Sequence, residues 1–161
     1  MTAQTPVWAA LGAWMLLGAH ASWTDLRQAI ISRRACWATG TAIAASWAVS
    51  AFALGEPGRL ARSLAATAAV ASLVEITYRI RPSAVGYGDI RLIIVNSLLV
   101  SWWGFSCPWW ALATGAIAAW PGALMTRLRS GRDATVRCAP ALAFGTALVA
   151  AFLLVANGPI P

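Results

Sequence analysis

The chain has 161 residues, of which 60% are hydrophobic and 11% charged, and its mean hydropathy is +0.68. A water-soluble domain needs roughly 25% charged residues to clothe its surface, so a soluble globule is excluded and the apolar excess must face lipid. The formal charge of +7 comes from 12 basic residues, all arginine, lying in short connections between apolar runs rather than on one solvated face, which excludes nucleic-acid binding.

Apolar runs occur at Val7 to Ala21, Ala35 to Leu54, Leu64 to Ile80, Leu92 to Ser106, Trp109 to Met125 and Ala139 to Ala156. A spanning helix takes about 20 residues, so residues 1–161 are expected to form a single all-α bundle of about six transmembrane helices, with no separate soluble domain. The breaks lie at Trp23 to Arg34, at Gly55-Glu56-Pro57-Gly58, from Arg81 to Asp89, at Cys107-Pro108 and from Arg127 to Arg137. Ala-rich stretches such as Ala65 to Ala69 favour close helix packing.

Charge sets the orientation. The first, third and fifth connections hold ten of the 12 arginines, whereas the second holds only Arg59 and Arg62 and the fourth none. Because cytoplasmic loops concentrate positive charge, the odd connections face the cytoplasm and both termini face outward. Ala19-His20-Ala21 resembles a signal-peptide cleavage site, but no Lys or Arg precedes the first apolar run, and a signal peptide needs a basic start.

Of the five acidic residues, Asp25 follows the first run and Asp89 precedes the fourth, so the loop arithmetic puts both at the cytoplasmic membrane border. Each has a simple capping explanation: Asp89 at the start of the fourth helix, and Asp25 in the first turn of a short surface helix capped by Ser22 or Thr24. Against that stands their coincidence of face and depth in a chain nearly devoid of acids. Two carboxylates in a poorly hydrated site share a proton, one serving as base and the other as acid, a state able to hydrolyse an amide. Gly86 and Gly88 ahead of Asp89 would offer unusual torsions and let another backbone approach. An Asp25 at the end of its helix and an Asp89 at the start of another would make Asp25 the acid and Asp89 the base, by the helix dipoles.

Gly86-Tyr87-Gly88-Asp89-Ile90-Arg91-Leu92, together with Asp25-Leu26-Arg27 and Ile31, resembles the two aspartate motifs of the GxGD-type membrane aspartic peptidases, specifically the prepilin peptidase (type IV leader peptidase) family. The resemblance extends to the six-span layout and, loosely, to Ala139-Pro140 and Phe144-Gly145 in the last run. It departs at Ser32, where the family commonly has Pro, and at Arg91, where it commonly has Lys. It implies an aspartic endopeptidase of the prokaryotic cytoplasmic membrane, with Asp25 and Asp89 catalytic and no metal or cofactor. Its partners would be the bilayer and a prepilin or pseudopilin, whose basic leader is removed at the cytoplasmic face. The chain opens directly on its first apolar run, so the resemblance also implies cleavage without the methylation performed by longer family members.

Gly86, Gly88, Arg27 and Arg91 are the expected substrate-binding residues, with the scissile backbone lying along the glycines. A basic leader would be repelled by the arginine-rich face, so recognition is expected to rest on docking of the substrate's apolar helix against the bundle. Elsewhere, Glu75 and Arg79 are one turn apart and expected to pair. His20 is expected to be merely hydrogen-bonded, and Asp133 to partner loop arginines. Trp102, Trp103, Trp109 and Trp110 read as an interfacial aromatic belt, and Cys36, Cys107 and Cys138, without metal-binding spacing, as packing residues. The competing functions are an ion-coupled transporter using Glu75 and the aspartates, and a catalytically inactive pilus-assembly partner.

Overall fold

The computed structural model describes residues 5–81, 86–130 and 138–158, which form six helices and, among the described residues, no strand. They are α1 (Thr5–Gln28), α2 (Arg33–Leu54), α3 (Pro57–Ile80), α4 (Tyr87–Val100), α5 (Cys107–Ser130) and α6 (Ala139–Asn157). The expected all-α bundle is therefore present. Helices α2, α3 and α6 are long and apolar enough to cross a membrane. Large apolar side chains stand outward all round the bundle, among them Leu16, Phe52, Ile117, Phe152 and Val155, as they must where the surrounding solvent is hydrocarbon. This is a membrane protein.

Local chemistry explains the helix ends. Ser32 caps α2 by accepting the Ala35 N–H, Gly55 closes it in the left-handed conformation at φ 68°, and Pro57 opens α3, a position where a missing N–H costs nothing. Helix α1 runs past the expected break at Trp23 and reaches Gln28, followed by Ala29 at φ 54°. Asp25 thus lies in the last turn of α1, and the first-turn surface-helix alternative is withdrawn. Thr24 turns its hydroxyl back to the carbonyls of His20 and Ala21 instead of capping anything.

The centre of the bundle is α4, which touches each of the other five helices and is buried at Ile90, Leu92, Ile93 and from Val95 to Val100. Its 14 residues rise about 21 Å, less than the hydrocarbon thickness of about 30 Å. The fourth apolar run was expected to stay helical to Ser106; instead the chain leaves the helix at Val100 and makes hydrogen-bonded turns. Non-helical backbone is tolerated at depth where protein encloses it, and Ser101 and Trp102 in this stretch are buried.

The same enclosure corrects the aromatic belt. Trp102 is 1% exposed and stacks on Trp47 at 4.8 Å, while Trp103 meets Trp47 edge-on and donates its indole N–H to the Gly158 carbonyl. These are core rings; of the four expected belt residues only Trp110 is fully exposed. Helices α5 and α6 cross at Gly115 and Gly145, where a Cβ on Gly145 would overlap the Gly115 backbone. Thr114 donates to the Gly145 carbonyl at the same crossing.

Candidate active site

Three helix ends meet at one end of the bundle: the last turn of α1, the first turn of α4 and the start of α6. Asp25 is 6% exposed, and its Oδ2 accepts the backbone N–H of Ala139 at 3.2 Å. Ala139 is the first residue of α6, so this carboxylate, 114 positions earlier in the chain, occupies the anion-favouring end of a second helix. Asp89 stands at the third position of α4, behind the N-cap Gly86. It accepts a hydrogen bond from the Gly86 N–H, the reach-back contact of an acidic residue at that helical position. The capping explanation of Asp89 is thus part of the truth, but the carboxyl has a second neighbour.

That neighbour is Asp25. Asp89 precedes the apolar run that begins at Leu92, and its carboxyl is raised from 3.8 to about 6, first by burial and next by the negative charge of Asp25, with the Gly86 N–H opposing both. The two aspartates are therefore within electrostatic reach of each other, the arrangement in which a proton is shared. The thiol of Cys138, just before α6, is pushed up to about 11 by burial and then by Asp89 and Asp25. Cys36 and Cys107 sit in the apolar core as expected, and no disulfide joins the three. Cys138 packs against the same core from its edge and also lies within electrostatic reach of both carboxyls.

The dipole argument for the individual roles meets a second helix end at Asp25. Asp25 does end α1, but its carboxyl also accepts the N–H at the start of α6, so it faces two helix termini of opposite sign instead of one. Burial makes Asp89 a carboxyl of raised proton affinity, one that holds its proton up to about pH 6.

The glycines also act differently from expectation. Gly86 adopts an ordinary extended conformation, φ −67° and ψ 143°, and no unusual torsion distinguishes Gly88, which lies inside α4. A Cβ on Gly88 would come within 3.1 Å of the Ile31 Cβ. The space above Gly88 is thus taken by the α1–α2 connection, not left open for a substrate backbone. This contact joins the two sequence motifs: Ile31 of the first is seated on the glycine of the second.

Arg27 and Arg91 each lie over an aromatic ring four residues earlier in the same helix, Trp23 at 3.8 Å and Tyr87 at 4.5 Å, a cation–π arrangement. Glu75 and Arg79 pair at 3.1 Å on an outer face of α3. His20 is exposed, and its carbonyl receives the Thr24 hydroxyl. Asp133 lies outside the described residues. The part played by Cys138 and the Ala139 N–H was not anticipated, although Pro140 marks a helix start that the charge arithmetic places on the same face as the aspartates.

Comparison of the chain with protein-family models, with curated proteins and with solved structures returns no match.

Proposed function

We propose that this protein is a membrane-embedded aspartic endopeptidase that removes the basic leader from prepilins or pseudopilins at the cytoplasmic face of a prokaryotic inner membrane. In this reading all six helices pass through the bilayer and both termini lie outside. The observation that carries it is that Asp25 and Asp89, 64 positions apart in the sequence, stand at the same end of the bundle within electrostatic reach, the charge of one raising the proton affinity of the other.

The chemistry follows from that pair. Asp25, held by the Ala139 N–H, takes a proton from water. The oxygen of that water adds to the scissile carbonyl carbon while Asp89 donates its proton to the carbonyl oxygen. The tetrahedral intermediate collapses with cleavage of the C–N bond, and the amine departs with a proton from the pair. Gly86, exposed beside Asp89, forms the substrate-facing rim together with Arg27 and Arg91. Gly88 leaves that set and becomes the seat of Ile31. A transporter would need acids within the bundle, yet Glu75 lies toward the outside, and among the described residues Asp25 is the one acid that is fully buried.

The test is co-expression with a candidate prepilin, following leader removal for wild type, Asp25→Asn and Asp89→Asn. Both substitutions are expected to abolish cleavage while the protein stays in the membrane. Processing retained by either variant removes the pair as the catalytic centre.

A further inference from the structure

One buried amide joins the three helices that carry the site. Asn96, in α4 and 4% exposed, accepts the indole N–H of Trp14 from α1 at 2.8 Å and donates to the Leu142 carbonyl of α6 at 3.3 Å. Trp14 lies 11 residues before Asp25, Asn96 seven after Asp89 and Leu142 three after Ala139. These separations are about three, two and one helical turns, so each tie falls on the helix face that bears the corresponding site group. The surroundings are apolar, with Leu92, Ile93, Val95, Leu98 and Leu99 buried along the same helix, and an amide is costly to bury there unless it is hydrogen-bonded, so the two ties hold each other's partners in place.

We propose that Asn96 is a positioning residue that sets the separation of Asp25 and Asp89 by locking α1 and α6 onto α4 deeper in the bundle. The inference rests on the peptidase reading for its consequence in catalysis, but not for the geometry it asserts. Apolar packing alone specifies such a register poorly, because a helix can slide along a greasy neighbour at little cost. Two directional bonds from one side chain, in opposite senses, permit only one arrangement. If the lock is released, the two helices that bring Asp25 and Ala139 to Asp89 are free to shift. Water then enters between the carboxyls, and both causes of the raised Asp89 proton affinity weaken.

The deciding variant is Trp14→Phe with Asn96→Leu, which removes both ties without stranding a buried polar group. The indole N–H is gone, and the Leu142 carbonyl still accepts the Thr146 hydroxyl at 2.9 Å. Replacing both members of a buried polar pair by apolar groups leaves no unsatisfied donor or acceptor, so the double variant is expected to fold and insert in lipid nanodiscs, its melting point lowered only by the volume lost at Trp14. Its Asp89 carboxyl, followed by the infrared band of the protonated acid and assigned by its loss in Asp89→Asn, is expected to titrate below the wild-type value. Toward a chimeric prepilin with a basic leader and an apolar helix, its kcat is expected to fall about tenfold with KM unchanged. If the double variant does not insert, Trp14→Phe alone cuts the α1 tie, with the same shifts expected in smaller degree. A folded variant that titrates and cleaves as wild type does overturns the proposal. A wild-type chain that cleaves no leader defeats the peptidase reading, while the infrared titration still judges Asn96.

Discussion

At the level of single residues, the buried carboxyl of Asp89 dictates a pH response. Raised from 3.8 to about 6, it keeps its proton below about pH 6 and loses it above. If it is the proton donor, kcat/KM falls tenfold per pH unit on the alkaline side of about 6, measurable as leader cleavage in detergent across pH 5 to 8. Stability moves in the same sense. Folding favours the protonated form, so its contribution is fully present below 3.8 and disappears as pH rises through about 6. Melting curves of wild type should decline over that interval, whereas those of Asp89→Asn should not show this decline. Gly88 supplies a second residue-level expectation. Gly88→Ala pushes a methyl against Ile31 and is expected to reduce cleavage severalfold by unseating the α1–α2 connection, and Ile31→Ala in the same chain is expected to restore part of it. A Gly88→Ala variant of undiminished activity would separate this contact from function.

Among the helices, the tightest fit is the α5–α6 crossing. The backbones approach at Gly115 and Gly145 more closely than a side chain permits, an arrangement that small residues make possible in membrane bundles. Gly145→Ala must force the helices apart, at a cost of about 1–3 kcal/mol for overpacking, visible as a lower unfolding midpoint in mild detergent. This scale also shows which features could be read from the amino-acid order. The six apolar runs and the Pro and Gly breaks located every helix, because hydrophobic run length and punctuation are local properties. The end of α4 at Val100 could not be read that way: apolar residues continue through Trp102 and Trp103, and only enclosure by neighbouring helices allows the backbone to turn there. The burial of Trp102 was hidden for the same reason, since an interfacial tryptophan and a core tryptophan look alike until Trp47 is found against the ring. The two aspartates were legible from charge and loop arithmetic, but Ala139 acts through its backbone, which carries no mark in the sequence.

For the molecule as a whole, the arginine distribution makes a topological prediction. Single cysteines introduced at Gln28 and Arg81, in a background with Cys36, Cys107 and Cys138 replaced, should be labelled by a membrane-impermeant maleimide only after the cytoplasmic side is opened. One at Gly158 should react in intact spheroplasts. Reaction of Gln28 and Gly158 positions from the same side would break the six-pass arrangement, and with it the placing of the site at the inner face. The broad apolar exterior, with large hydrophobic side chains exposed from Trp8 to Val155, is the surface the bundle presents to lipid. Because α4 is hemmed in by all five companions, Asp89 stands on the one helix whose displacement would disturb every other. Asp25, by contrast, sits in the last turn of α1 and is tied to the start of α6 through the Ala139 N–H, so a disturbance of either of those two helices must be felt at its carboxyl.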